Sequence, residues 1–126
     1  MVVATSIFLK KVVMSILKYL FGNSTSSDAI SNYNAAEFKE AIQGKKVQLV
    51  DVRTASEFHS GHISKAVNID FFKGGEFENS FQKFDKEIPV YVYCRSGARS
   101  MNAAKRLAKM GFKKIVNLKG GYMAWN

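Results

Sequence analysis

Apolar and polar residues follow one another along this chain in two kinds of block: short runs rich in Val, Ile, Leu and Tyr, and longer stretches with helical spacing. NAAEFKEAIQGKK (34–46) opens with Asn34 and places Glu37 three residues on, the spacing of a capping box in which side chains satisfy the free N–H groups of a first helical turn. Gly44 offers the stop, so this block predicts a helix. VQLVDV (47–52) reads as a largely apolar strand, TASEF (54–58) as one short helical turn, KAVNI (65–69) as a short strand and EFENSFQKF (76–84) as a further helix. PVYVYC (89–94) is a strand whose proline stands first, where a missing N–H is tolerated. Over 98–110, Met101, Ala104, Leu107 and Ala108 recur at helical spacing with Lys105, Arg106 and Lys109 outside them, and Gly111 ends the pattern. KKIVNL (113–118) reads as the last strand. Short apolar strands alternating with helices predict an α/β layer on a mainly parallel sheet, in which chemistry collects where the carboxyl ends of strands lead into helices.

The N-terminal part departs from this pattern. NSTSSDA, from Asn23, separates an apolar segment from the mixed remainder and reads as linker, so residues 1–29 are taken as a separate segment and 30–126 as the domain. IFLKKVVMSILKYLF (7–21) carries Lys10, Lys11 and Lys18, which breaks up the stretch of about 20 apolar residues that a spanning helix needs. On a helical wheel these lysines and Ser15 share one arc and the apolar residues cover the rest, which suits a helix lying on a membrane surface. An export signal is the competing reading, with Lys18 interrupting its apolar region and no A-x-A site following; a helix packed on the domain is a third. The chain is accordingly expected in the cytoplasm or at a membrane through residues 7–21, or exported to the periplasm if that segment is a signal.

Composition narrows the function. The chain has 126 residues, 47% hydrophobic and 23% charged, with a single proline, which excludes a long disordered or collagen-like protein and supports one core. Lys and Arg number 19 against 10 Asp and Glu, a net charge of +9, and most of the excess lies in residues 30–126. A basic body attracts anions, but no nucleic-acid motif accompanies the charge, and no nucleic-acid partner is expected. Cys94 is the one cysteine, so no internal disulfide forms. No Cys/His set has zinc-site spacing, and neither a metal nor another cofactor is expected.

Cys94 matters, if at all, as a thiol. YVYCRSGARSMNAAKRL places it at the carboxyl end of a strand, followed by a loop containing Gly97 and a helix beginning near Ala98 to Ser100. Gly97 permits backbone angles closed to other residues, so the N–H groups of residues 95–99 can turn inward around the sulfur. The free N–H groups and positive end of the following helix, with Arg95 and Arg99, favour an anion there and a thiolate over a thiol. The alternative for a lone cysteine is a small buried apolar residue, but that role needs no glycine-bearing loop, flanking arginines or helix N-terminus.

CRSGARS (94–100) resembles the active-site loop of single-domain rhodaneses, the thiosulfate sulfurtransferase family. LVDVRTASEFHSGHISKAVNID (49–70) is similar to the family's upstream signature, PVYVYC to its catalytic strand and LKGGYMAW (118–125) to its terminal motif, so the resemblance covers about residues 30–126. It implies a rhodanese fold, a mainly parallel five-stranded sheet with helices on both faces. It also implies persulfide chemistry: Cys94 takes the outer sulfur of an anionic donor such as thiosulfate and passes it to cyanide, a thiol or a protein acceptor. Arg95, Ser96, Gly97, Ala98, Arg99 and Ser100 would bind the donor. The related phosphatases and arsenate reductases resemble C-x5-R, whereas Arg99 follows Cys94 as C-x4-R, a loop sized for sulfur. A rhodanese-fold carrier or docking module with little turnover of free thiosulfate is the rival from another class.

Asp51, Arg53 and Glu57 could pose as acid and base groups, but a strand-end Asp and an Arg/Glu pair four residues apart can cap and brace a turn, and the resemblance gives them structural duties near the site. His59 and His62 have H-x-x-H spacing without a third ligand, and His62 matches the family's GHI segment, so it too is expected to be structural. Phe71, Phe72 and Phe77 could wall the pocket but are expected mainly in the core, Gly120 and Gly121 in a tight turn near the site, and Trp125 in packing.

Overall fold

The computed structural model describes residues 28–43 and 46–125, and the readings of residues 7–21 as membrane helix or export signal fall outside them. Among the described residues no helix is long and apolar enough to cross a membrane. Among the described residues five strands form one sheet: β1 (Ile30–Tyr33), β2 (Gln48–Asp51), β3 (Val67–Asn68), β4 (Val90–Tyr93) and β5 (Ile115–Leu118), in the spatial order β1-β5-β4-β2-β3. Every pairing is parallel. Four helices connect them: α1 (Ala35–Ala41), α2 (Ala55–His59), α3 (Gly75–Ser80) and α4 (Ala98–Lys109). Two single-turn 3-10 helices, Phe71–Lys73 and Tyr122–Ala124, follow β3 and β5.

Local chemistry accounts for the helix starts. Asn34 Oδ1 accepts the Glu37 N–H at 2.9 Å while Glu37 Oε1 accepts the Asn34 N–H at 2.9 Å, the capping box its spacing predicts. Thr54 and Glu57 build a second box at the start of α2. Predicted and observed elements differ mainly at their ends. The residue 76–84 block is helical only as Gly75–Ser80, and KAVNI contributes two strand residues. The fifth strand, β1, left no pattern in the sequence; ISNY is a four-residue edge strand recruited by pairing with β5, Ile30 opposite Ile115 and Tyr33 opposite Leu118.

The sheet is covered on both faces, as an all-parallel sheet requires. Val50, Val52, Val90, Val92 and Ile115 point to one side and pack with Phe77, Phe81, Ala103, Ala104, Leu107 and Phe112. Leu49, Tyr93, Val116 and Leu118 point to the other, with Phe38 of α1, Ile63, Tyr122 and Trp125. Trp125 meets Phe38 edge-on at 6.0 Å, the packing role expected of it. Two-residue alternation carries one consequence for the site: Cys94 continues the Val90–Val92 face and Asn117 the Ile115 face, so both look toward α4.

Candidate active site

β4 ends at Tyr93, and the chain turns through Cys94–Gly97 into α4. Gly97 adopts φ 104°, the left-handed conformation that glycine enters without a Cβ penalty, and no side chain caps α4. Its N–H instead points at Cys94 Sγ at 3.0 Å, and Ser100 Oγ lies 3.4 Å from the same sulfur. Burial, the largest single influence, pushes the Cys94 thiol up; the Ser100 hydroxyl and the N–H groups of Ser100, Gly97 and Ser96 outweigh it, and the thiol lies below its ordinary value. Cys94 itself is 1% exposed, whereas Arg95, Ser96 and Ala98 stand exposed around it.

The terminal glycines hold this loop in place. The Tyr122 N–H donates to the Cys94 carbonyl at 2.8 Å and the Met123 N–H to the Arg95 carbonyl at 3.0 Å. Gly121, at φ 62°, lets the two segments touch: a Cβ there would collide with the Arg95 carbonyl oxygen and come within 2.7 Å of that of Cys94. The turn expected at Gly120–Gly121 is thus the back wall of the loop.

The charged residues pair differently from the sequence expectation. Arg53 does not brace Glu57, four residues on. It folds back on Asp51, with Nε 3.1 and 3.0 Å from the two carboxylate oxygens and Nη2 2.7 Å from Oδ2. It also donates to the Gly61 carbonyl at 2.6 Å and lies over the Tyr122 ring at 4.6 Å. Both partners are buried at the end of β2, so close mutual pairing offsets the cost of removing them from water.

Glu57 is thereby left to cross the site and pair with Arg99, 2.8 Å away, and Arg99 also stacks on exposed Phe72 at 4.9 Å. Arg99 stands part-buried at the loop, and Glu57 engages one of its five N–H donors among the described residues. His62 stacks on Phe58 at 3.7 Å, with Nδ1 2.9 Å from the Phe58 carbonyl, and takes no part in the sulfur site. Of the three phenylalanines, Phe77 is core, Phe71 packs against it and Phe72 faces solvent under Arg99. Two polar residues escaped the sequence reading: Asn117, whose Oδ1 accepts the Ser100 hydroxyl, and Asn32, whose Oδ1 accepts from Asn117 Nδ2. The signal was an asparagine inside the apolar run IVNL.

The Arg99 hydrogen bond holds the Glu57 carboxyl down at about 2, against the weaker upward push of burial. Because its folded value is depressed, the pair's stabilising contribution is complete above about pH 4.5 and is lost as the pH falls toward 2. Urea titrations from pH 7 to pH 2 are expected to show native protein exceeding Glu57→Gln in stability at neutral pH, with the gap closing below about pH 4.5. A gap independent of pH would deny the ion pair.

Comparisons with known proteins agree with this geometry. The family model for the rhodanese-like domain matches residues 34–126. The chain is 44% identical over 81 residues to the uncharacterized protein YqhL of Bacillus subtilis, an alignment covering 64% of this chain and 62% of that one, so it spans less than two thirds of that relative. It is 34% identical over 86 residues to the thiosulfate sulfurtransferase GlpE of Coxiella burnetii, covering 68% of this chain and 78% of the relative. The crystal structure of a rhodanese-like domain protein from Staphylococcus aureus superposes with a TM-score of 0.67 at 31% identity, over 76% of this chain and 91% of the other. A five-stranded parallel sheet, a cysteine loop at the end of its central strand and a match running from Asn34 to the last residue have one common meaning: this chain belongs to the rhodanese-like domain family.

Proposed function

We propose that this protein is a sulfurtransferase that moves a sulfane sulfur through a persulfide on Cys94. The observation that carries the reading is the buried sulfur within the loop, accepting the Gly97 N–H at 3.0 Å with the Ser100 hydroxyl at 3.4 Å. These donors favour the thiolate, the nucleophilic form. Attack on the terminal sulfur of thiosulfate forms the Cys94 S–S bond as the donor's own S–S bond breaks, and its electron pair leaves with sulfite. The product persulfide is an anion of the same charge, which the same N–H groups can receive. A thiophilic acceptor, whether cyanide, a thiol or a protein, then takes the outer sulfur and returns the thiolate.

Deep burial of Cys94 suits a donor that presents a single terminal sulfur atom. Arg95 and Arg99 supply positive charge for its anionic end, and Ser96, Gly97, Ala98 and Ser100 supply the loop that receives it. The likeness to GlpE of Coxiella burnetii, named a thiosulfate sulfurtransferase, supports thiosulfate as the first donor to try.

Steady-state transfer from thiosulfate to cyanide tests the reading. Turnover is expected in the native chain, and Arg99→Ala is expected to raise the KM for thiosulfate about tenfold or more, the scale of losing charge-assisted hydrogen bonds to a bound anion. Absence of turnover in the native protein, with binding to a protein partner retained, would favour a docking or carrier module. A KM unaffected by Arg99→Ala would remove that residue from the donor site.

A further inference from the structure

Asn117 lies in β5 on the face turned toward α4 and is 3% exposed, a costly place for an amide unless all its groups are paired. Its neighbours settle its orientation. Nδ2 has two acceptors, Asn32 Oδ1 at 3.0 Å and the Gly97 carbonyl at 3.4 Å; with oxygen and nitrogen exchanged, an oxygen would face that carbonyl. Asn117 Oδ1 therefore faces Ser100 Oγ, 2.5 Å away.

Ser100 has one hydroxyl proton and three acceptors within reach: Asn117 Oδ1 at 2.5 Å, the Gly97 carbonyl at 3.2 Å and Cys94 Sγ at 3.4 Å. The closest acceptor has the first claim on it while the sulfur is neutral. Once the sulfur carries charge, it competes for the same proton, and any bond to it is made at the expense of a buried amide oxygen.

We propose that Asn117 is a positioning residue for Cys94, its amide oxygen, oriented by Asn32 and Gly97, drawing the Ser100 hydroxyl proton away from the sulfur. The chain Asn32–Asn117–Ser100–Cys94 thus runs from the edge strand to the thiol. Its use is restraint. A thiolate stabilised too strongly is abundant but a weak nucleophile, and the most effective attacking thiol ionises near the ambient pH. The Gly97 N–H and the helix end favour ionisation, and Asn117 limits what Ser100 adds.

The charged and titratable groups around the loop are Arg95 and Arg99 on the loop and α4, Glu57 on α2 paired with Arg99, Asp51 and Arg53 at the end of β2, Tyr93 on β4, Lys119 after β5, which lines one cavity with Asn117, Asn32 and Gly97, and Tyr122 behind the loop. Asn117→Leu alters none of them and introduces no charge.

The test reads the thiol and stands apart from whether sulfur is transferred. Full-length protein, its Asn117→Leu and Ser100→Ala variants and the double variant are alkylated with iodoacetamide across a pH series, and the modified fraction is read by intact mass. Cys94 is the only possible thiol. Asn117→Leu is expected to lower the midpoint of the rate profile by about one pH unit and Ser100→Ala to raise it by a similar amount. In the Ser100→Ala background, Asn117→Leu is expected to leave the midpoint unmoved. Asn117→Val, whose branched side chain suits a strand, provides a second variant with the same expected fall. A midpoint that rises or stays in both Asn117 variants, or that falls equally without the Ser100 hydroxyl, would reduce Asn117 to a tie between β1 and the loop and overturn the proposal.

Discussion

Full-length Cys94→Ser is expected to show no change of mass after exposure to thiosulfate, whereas the native chain gains one sulfur atom that cyanide then removes. The expectation rests on the uniqueness of the sulfur and on its surroundings. Cys94 is the one cysteine of the chain, so no second thiol can accept or resolve the transferred atom. Serine preserves the shape of the side chain and leaves a hydroxyl beside the Gly97 N–H and the Ser100 hydroxyl, but it ionises too reluctantly for these donors to make it a nucleophile near neutral pH. Loss of transfer with the fold retained would therefore report chemistry at one atom. A native chain that gains no sulfur from thiosulfate, mercaptopyruvate or a persulfide would end the sulfurtransferase reading and place the protein with docking modules.

The largest loss of stability is expected from Asp51→Ala. Asp51 is fully buried and its carboxylate accepts from the Arg53 backbone N–H at 2.9 Å as well as from the guanidinium. Removing it leaves Arg53, 5% exposed, with the Gly61 carbonyl and the Tyr122 face but no counter-charge. Breaking a buried pair from one side costs about 3–5 kcal/mol, a large part of the roughly 5–15 kcal/mol that holds a domain folded. The urea midpoint is expected to fall by about 2 M. Replacing both members with apolar residues, as in Asp51→Leu with Arg53→Met, is expected to recover most of the loss, because the penalty belongs to the orphaned charge. A single substitution costing less than about 1 kcal/mol would show that water or another group reaches Arg53.

These two residues also mark how differently parts of the site could be read beforehand. The geometry of the Cys94 loop was legible because its parts are contiguous: the strand end, the glycine, the serine and the helix N-terminus all fall within 94–100, and local backbone rules link them. The sequence places Asp51, Arg53 and Glu57 near one turn, but it does not show their partners. A helical four-residue spacing suggested Arg53 with Glu57, whereas the strand end turns Arg53 back onto Asp51 and leaves Glu57 to reach Arg99, 42 residues away. β1 escaped notice because four edge residues have too little alternation to stand out, and their strand character comes from pairing with β5.

By itself, the sequence determined the alternation of strands and helices, the capping box at Asn34, the parallel α/β class and the presence of a single thiol at a strand end. These follow from periodicities of two and 3.6 residues and from hydrogen bonds between near neighbours, which any stretch of chain carries with it. The tertiary structure alone decided the order β1-β5-β4-β2-β3, the Glu57–Arg99 pair and the placement of Asn32 and Asn117, 85 residues apart, in line with Ser100 and Cys94. Contacts of that kind arise only when separate strands are brought into register and their alternating faces are assigned to one side of the sheet or the other, and no local pattern encodes which distant side chains then meet.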